Sequence, residues 1–335
     1  MKIDIFNHIL PQKYFDKMVS VSPSGKGIQK RVREIPAMVD LDERFRAMDF
    51  FPDYVQVICL ANPPIEALGP PPLSGELAKL ANDSMAELVR KHSDRFPGFI
   101  ASLPMNDPDG LLAEAERAVN QLGAVGVQVY SNVLGRPLDK PETMPLFDLM
   151  AELDRPIWIH PARGADFPDY KSEPKSRYEI WFIFGWPYET SVAMAHLVFS
   201  GLFDRHPNIK IITHHLGGMI PYFEGRVGPG WDQLGTRTSD EDYTILLKKL
   251  KKRPLEYFRM FYADTALFGA REPTICGLMF FGVERTLFAS DSPFDPEKGP
   301  GYIRSTIEII DSLDITPEQR HAIYEGNARR LLKLT

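Results

Sequence analysis

Five side chains that can bind metals or carry protons stand at the ends of predicted strands. His8 follows the first apolar, β-branched run, His160 ends the fifth, His214 and His215 end the sixth, and Asp291 follows the eighth. Imidazole nitrogens and carboxylate oxygens suit zinc, manganese or iron, and a catalytic metal keeps a coordination position open for water or substrate. A lone histidine at a strand end is more often a hydrogen-bonded structural residue. The shared position of all five favours a metal site.

The elements that must position these side chains alternate between strands and helices. Eight short apolar runs predict strands over 2–6, 55–61, 98–103, 125–130, 156–160, 210–215, 259–264 and 285–290. Apolar residues at helical spacing predict helices over 77–92, 111–122, 144–153, 190–203 and 272–282. Asp107-Pro108 and Thr316-Pro317 are typical of helix starts, and Gly123 and Gly282 of helix ends.

Strands that alternate with helices imply parallel pairing, and eight such units favour a (β/α)8 TIM barrel in a single domain over 1–335. Such a barrel brings the five side chains to one mouth. An open doubly wound sheet is the alternative, but the first strand-to-helix turn, Asn7-His8-Ile9-Leu10-Pro11, lacks the glycines that bind a dinucleotide. Elaborated loops are predicted after the first strand, over 11–39, and after the fifth, over 162–188, where aromatic residues are dense.

Composition excludes several other classes of protein. The 335 residues are 44% hydrophobic and 25% charged, which is ordinary for a globular enzyme. A net charge of −6 argues against nucleic acid or membrane partners. Cys59 and Cys276 have no metal-type spacing and are expected to be buried free thiols in a reducing compartment. Because no signal peptide and no long apolar run is evident, a cytoplasmic location is predicted.

The two neighbouring histidines pose a question of orientation. His214 and His215 fall on one predicted strand, where successive side chains point to opposite faces, so only one is expected to face the barrel interior. Gly217-Gly218 follows them and would allow close approach of a substrate, although a tight turn into the next helix explains the glycines equally.

A set of motifs in fixed order resembles a known family. The motifs are Asp4-Ile5-Phe6-Asn7-His8, Trp158-Ile159-His160-Pro161, Trp186-Pro187-Tyr188-Glu189-Thr190, His215-Leu216-Gly217-Gly218, Arg226 and Ala289-Ser290-Asp291-Ser292-Pro293. Together they resemble the amidohydrolase-2 branch of the amidohydrolase superfamily over essentially the whole chain.

The resemblance implies one divalent metal ion, zinc or manganese, held by His8, His160 and Asp291, with His215 as the catalytic histidine. Arg226 matches an arginine that reaches a substrate carboxylate in a neighbouring subunit, which implies a homodimer or a larger homo-oligomer. A second arginine comes from the first loop in that family, and Arg31 and Arg33 are the candidates here.

Phe6 departs from the family pattern. The first strand of the family carries a histidine-x-histidine or glutamate-x-histidine pair, whereas this chain places a phenyl ring at the first position of the pair. Either three protein ligands and water hold the metal, or the metal has been lost. Retention is the favoured interpretation because His8, His160 and Asp291 all persist.

The leading hypothesis is non-oxidative decarboxylation of an aromatic or unsaturated acid. Asp291 or His215 would deliver a proton to the carbon that loses carbon dioxide, and Arg226 would orient a carboxylate. Aromatic side chains would contact the flat ring of the substrate: Phe6, Trp181, Phe182 and Trp186. Two alternatives stay open: hydrolysis of an amide, ester or lactone on the same site, and a metal-free barrel that binds an aromatic acid.

Overall fold

The computed structural model describes residues 1–22, 29–237 and 243–334, and eight parallel strands form its main sheet. The strands are β1 (Lys2–Ile9), β2 (Tyr54–Leu60), β3 (Gly98–Ser102), β4 (Gly126–Tyr130), β5 (Ile157–His160), β6 (Ile211–Thr213), β7 (Tyr262–Asp264) and β8 (Thr286–Leu287). Each pairs with the next along the chain. The amide of Ile5 donates to the Phe288 carbonyl at 3.1 Å, and the amide of Asp291 donates to the Phe6 carbonyl at 2.9 Å, which joins the last strand region to the first. The predicted (β/α)8 barrel is confirmed, and the open sheet is wrong.

Helices connect the strands and pack on the outside of the barrel. They are α1 (Gln12–Val21), α2 (Gln29–Arg33), α3 (Leu41–Met48), α4 (Leu73–Lys91), α5 (Pro108–Asn120), α6 (Met144–Glu152), α7 (Ile180–Ile183), α8 (Gly185–Phe199), α9 (Leu202–Arg205), α10 (Thr244–Lys249), α11 (Pro254–Phe258), α12 (Arg271–Phe281), α13 (Pro300–Ser312), α14 (Pro317–His321) and α15 (Asn327–Leu332). Their apolar faces bury side chains against the outer face of the sheet.

Local sequence signals set the ends of several helices. The Asp107 carboxylate accepts a hydrogen bond from the Gly110 amide at 3.1 Å, and so caps α5. The Thr316 hydroxyl accepts from the Gln319 amide at 3.2 Å while the Gln319 side chain accepts from the Thr316 amide at 2.9 Å, which starts α14 with a capping box. Gly282 ends α12 with φ 78°, a backbone conformation that favours glycine. The predicted starts at Asp107 and Thr316 and the end at Gly282 are confirmed.

The two elaborated loops lie at the mouth of the barrel. The loop after β1 contains α1, α2 and a short 3-10 helix (Pro36–Met38), while residues 23–28 lie outside the described chain. The loop after β5 runs to Glu179 and is followed by α7 and then α8. The helix α8 starts at Gly185 rather than at the predicted residue 190. Glycine 185 fits there because an added Cβ would stand 2.5 Å from the Arg163 side chain.

No helix among the described residues is long and apolar enough to span a bilayer. Both cysteines are free thiols, and Cys59 is buried. Cys276 is only partly buried, so the expectation of a fully buried thiol was wrong for it. It lies on α12, where the pattern of apolar neighbours did not distinguish the barrel-facing side from the flank.

Candidate active site

His8 and Asp291 meet where β1 and the segment after β8 come together. His8 is fully buried, and its Nε2 lies 3.0 Å from Asp291 Oδ1, while its Nδ1 lies 3.5 Å from the Cys59 sulfur. Asp291 has φ 61°, a left-handed conformation uncommon outside glycine, asparagine and aspartate. The hydrogen bond from its amide to the Phe6 carbonyl fixes that turn. The closure of the barrel thus delivers Asp291 to His8.

His215 reaches the same carboxylate from the opposite side. Its Nε2 lies 3.7 Å from Asp291 Oδ2, and its side chain is 11% exposed. Burial alone would raise the pKa of Asp291, but the neighbouring His215 and His8 imidazoles hold that pKa well below its usual range. Asp291 is therefore ionised at neutral pH and is not itself a store of protons.

His160 ends β5 and presents a neutral ring to the site. Its Nδ1 donates to the Pro161 carbonyl at 2.7 Å, which leaves Nε2 as an acceptor that faces the Asn62 amide nitrogen at 3.2 Å. Burial, and then the neighbouring His8 and His214, lower the pKa of His160 well below its ordinary value. A neutral imidazole with a fixed tautomer is the form that binds metals.

Both neighbouring histidines face the site, so the expectation that only one would do so was wrong. The strand β6 ends at Thr213, and His215 and Leu216 have φ 54° and 45°, a left-handed turn that redirects the His215 side chain. The His214 Nδ1 pairs with a carboxylate oxygen of Asp264, whose other oxygen accepts from the His215 amide at 3.0 Å. Asp264 therefore orients one ring directly and the other through its backbone.

Phe6 lies beneath the imidazoles and is fully buried. Its ring stacks on His214 with centroids 3.3 Å apart, meets His8 edge-on at 4.5 Å and lies 5.6 Å from His160. A shift in the register of β1 against β2 falls between Asp4 and Asn7, around this residue. The cavity beside Asp291 is lined by other side chains, so Phe6 supports the histidines rather than forming the surface that a ligand would meet.

The donor set fits a divalent cation in its chemistry. His214 Nε2 is buried and has no hydrogen-bond partner among the described residues, His8 Nε2 lies 3.0 Å from the Asp291 carboxylate, and the His160 Nε2 is held as an acceptor. In the described part of the chain, no three histidine, cysteine, aspartate or glutamate side chains are already drawn around one point. His8 is paired with Asp291, and His160 with Asn62, so binding a cation requires Asn62 to release the His160 nitrogen. Two imidazoles and one carboxylate, with positions left open, are a typical catalytic set.

A small cavity of about 20 Å³ opens beside Asp291 and His160. Its walls include Phe182 and Trp186, which were predicted to contact the substrate. They also include side chains that the sequence pattern did not identify as a group: Arg31, Phe268, Phe294 and Tyr302. The Arg31 guanidinium hydrogen-bonds the Phe294 carbonyl and lies 5.2 Å from the Phe294 ring centroid. Arg33 instead donates to the Ser22 carbonyl and to Gln29, so Arg31 is the first-loop arginine that faces the site.

A larger cavity of about 490 Å³ lies on the other side of Trp186, which lines both cavities. Trp186 stands 5.4 Å from the His160 ring and 6.1 Å from Trp181, whose ring also lines the larger cavity. Phe182 packs edge-on against Trp186 at 4.8 Å. The three predicted aromatic side chains of the loop after β5 therefore form one cluster beside His160.

Arg226 does not join these side chains within the chain. It is exposed and lines a separate, largely apolar cavity of about 660 Å³ between α8 and the segment after β6. Gly217 and Gly218 serve packing: an added Cβ would lie 2.6 Å from Phe281 at the first and 2.5 Å from the Pro187 carbonyl at the second. The tight-turn interpretation of these glycines is the one that the structure supports.

The fold and these side chains define a (β/α)8 barrel with a histidine–aspartate site at the carboxyl ends of its strands. The chain belongs to the amidohydrolase family, whose sequence model matches residues 39–334. This confirms the resemblance drawn from the motifs.

Two curated relatives are decarboxylases. The gamma-resorcylate decarboxylase of Rhizobium sp. (strain MTP-10005) is 31% identical over 320 residues, which cover 92% of this chain and 90% of that protein. The 2-amino-3-carboxymuconate-6-semialdehyde decarboxylase of Dictyostelium discoideum is 28% identical over 350 residues, which cover 100% of this chain and 92% of that protein. A solved structure of a dihydroxybenzoic acid decarboxylase from Polaromonas sp. JS666, with bound manganese and the inhibitor 2-nitroresorcinol, is similar with TM-score 0.77 and 26% identity, over 99% of this chain and 97% of that one.

Proposed function

We propose that this chain is a metal-dependent, non-oxidative decarboxylase of an aromatic carboxylic acid. The observation that carries the proposal is the cluster of His8, His160, His215 and Asp291 at the barrel mouth. His8 and His215 both approach the Asp291 carboxylate, and an aromatic-walled cavity opens beside Asp291 and His160. The curated decarboxylases that the chain resembles over nine-tenths of its length support the same reaction.

The proposed metal is a single divalent ion, with manganese preferred over zinc because a similar solved structure contains it. His8 Nε2, His160 Nε2 and the Asp291 carboxylate would hold it. Phe6 offers no donor atom at the position where the family carries a further ligand on the first strand. When bound, such an ion acts as a Lewis acid and template for the carboxylate of a substrate and a neighbouring oxygen.

The residues of this chain would bind and orient the acid. Arg31 reaches the cavity that Asp291 lines, where a guanidinium can pair with a carboxylate through two parallel hydrogen bonds. Phe182 and Trp186 would cover the ring of the substrate and exclude water. The small volume of this cavity implies that these aromatic side chains, which stand on α7 and at the start of α8, move apart when an acid enters.

His215 is the proposed proton donor. Decarboxylation breaks the bond between the ring carbon and the carboxyl carbon; carbon dioxide leaves, and the electron pair stays on the ring carbon, which must then gain a proton. Asp291 is ionised, whereas His215 is 11% exposed and lies 3.7 Å from that carboxylate, which would orient its ring. No oxidant or reductant is consumed.

Carbon dioxide release tests the proposal. Protein reconstituted with manganese is incubated with 2,6-dihydroxybenzoate and a panel of other hydroxybenzoates, and carbon dioxide and the decarboxylated phenol are measured. We expect equal amounts of both from at least one acid, and a loss of about 100-fold or more in His215→Asn. His206→Asn, at a partly exposed histidine outside the site, is the matched control and should keep full activity. Turnover of lactones or amides without carbon dioxide release would contradict the proposal and favour a hydrolase.

We further propose that Arg226 acts across the interface of a homodimer, because it is exposed on an apolar surface away from its own site. Mixing Arg226→Ala with His215→Asn subunits should restore part of the activity that each variant lacks, while light scattering reports the mass of the assembly. A monomeric active enzyme would contradict this assignment.

A further inference from the structure

A second carboxyl group faces the ligand side of the barrel mouth, and the reaction proposed above does not use it. Glu66 lies on the short 3-10 helix (Ile65–Ala67) that follows β2, and it is 4% exposed. It lines the cavity of about 490 Å³ on the far side of Trp186. No hydrogen-bond partner reaches its Oε1 among the residues that the structure describes.

A buried carboxyl oxygen without a partner destabilises the fold, so its position calls for an explanation. Burial raises the pKa of Glu66 to about 7, which reflects the same lack of compensating charge. Among the described residues that line this cavity, Arg163 is the one cationic side chain that could neutralise Glu66, but its guanidinium is paired with Glu189 at 2.8 Å. Above that pKa the cavity therefore presents an ionised acceptor, and a second carboxylate from a ligand would be repelled from it.

The cavity is connected to the reacting site through shared side chains. Asn62, four residues before Glu66, lines the cavity and places its amide nitrogen 3.2 Å from His160 Nε2. Tyr130 packs 4.8 Å from the His160 ring, and the Glu66 charge contributes, after burial, to raising the pKa of Tyr130. Asn62 and Tyr130 thus lie between Glu66 and His160, one of the residues that would hold the metal.

We propose that Glu66 and this cavity form a subsite for a neutral hydrogen-bond donor, a phenolic hydroxyl or an aromatic amine, on the substrate ring distal to the carboxylate. Trp181 and Trp186 flank the ring in this arrangement, and the donor of the ring supplies the missing partner of Glu66 Oε1. The inference rests on the proposed function, because it assumes an aromatic acid whose carboxylate lies on the Asp291 side of Trp186.

Binding measurements on matched ligand pairs test the subsite. Calorimetric titration of the manganese-loaded protein compares 3- and 4-hydroxybenzoate with their methyl ethers, 3- and 4-methoxybenzoate. Above pH 8, where Glu66 is ionised, we expect the native protein to bind one hydroxy acid about tenfold more tightly than its ether, since a hydrogen bond to a carboxylate contributes at least that factor. In Glu66→Leu this preference should vanish, and in Glu66→Gln it should fall to a few-fold. The control is Asp166→Asn, an exposed carboxylate on the rim of the same cavity, which should keep the preference.

Equal affinity of the native protein for both members of each ligand pair would overturn the subsite. An equal change in the hydroxyl preference in Glu66→Gln and Asp166→Asn would overturn it as well. Circular dichroism of each variant confirms that the barrel is folded, and Glu66→Gln preserves the volume of the side chain. Carbon dioxide release by the same proteins separates the two proposals. If binding prefers the hydroxy acid through Glu66 but no carbon dioxide is released, the subsite is supported and the decarboxylase is refuted. If carbon dioxide is released without that preference, the decarboxylase is supported and the subsite is refuted.

Discussion

The buried Asp264–His214 pair should contribute more to stability than any exposed histidine–aspartate pair of this chain. Both side chains are fully buried. The Asp264 carboxylate accepts from His214 Nδ1, from the His215 amide at 3.0 Å and from the Ala266 amide at 3.1 Å. Asp264→Asn keeps the volume and one acceptor oxygen but removes the charge towards which all of these donors point.

The size of the loss follows from those contacts. Burial lowers the pKa of His214, so its ring is a neutral donor to the Asp264 carboxylate. A hydrogen bond to a charged group contributes about 1.5–3 kcal/mol, against about 1 kcal/mol for a neutral one, and three donors converge on this carboxylate. We therefore expect Asp264→Asn to lower the free energy of unfolding by about 3 kcal/mol. The matched control is Asp148→Asn, which breaks the pair with His206 at 2.7 Å, where the side chains are 47% and 26% exposed. Such a surface pair contributes about 0–1 kcal/mol.

Urea unfolding followed by tryptophan fluorescence and circular dichroism measures both losses at pH 7. Equal losses in the two variants would refute the reasoning, because burial and the converging donors would then add nothing. Activity gives a second readout, since Asp264 also fixes the left-handed turn at His215. A displaced His215 should reduce carbon dioxide release by about 100-fold, with a smaller effect on KM.

Three further predictions concern the metal, the carboxylate and the pH dependence of stability. His160→Ala should abolish tight manganese binding, as seen by electron paramagnetic resonance, whereas His206→Ala should not; undiminished binding in His160→Ala would remove His160 from the ligand set. Arg31→Met should weaken the binding of benzoates about tenfold and leave uncharged phenols unaffected in calorimetry; equal weakening of both would mean that Arg31 only shapes the cavity. Burial raises the pKa of Asp4 to about 6, against hydrogen bonds from Ser290 and Tyr54, so the folded state holds this proton more tightly than the unfolded chain. The contribution of the Asp4 proton to the free energy of unfolding is thus fully present below pH 3.8 and is lost as the pH rises through about 6. The loss of unfolding free energy caused by Asp4→Asn, measured by urea unfolding, should therefore shrink by about 3 kcal/mol as the pH rises across that range. A loss that stays constant with pH would contradict the raised pKa.

The local pattern of the sequence was sufficient for the strands, several helix ends and the main ligand candidates. Apolar runs of strand length, and caps such as Asp107 and Thr316, act within a few residues of themselves, so they can be recognised without the fold. Strand order then follows from right-handed parallel connections. Because the carboxyl ends of all barrel strands share one mouth, His8, His160 and Asp291 are predictable as neighbours.

The remaining features of the site depend on contacts between distant parts of the chain. Asp264 lies 50 residues from His214, and Asn62 lies 98 residues from His160. Nothing in the local pattern indicated that Glu66 would be buried without a partner, or that Arg31 rather than Arg33 would face the cavity. The left-handed turn at His215 also contradicts the alternation expected of a strand.

The sequence by itself determined a barrel with ligand-type side chains at one mouth, because periodicity and strand ends are properties of short segments. Only the tertiary structure decided which side chains pair, which stay unpaired and which line a cavity. Those outcomes are set by loop conformation, by the register shift in β1 and by the loss of solvent around each polar atom, all of which arise only when distant segments pack together.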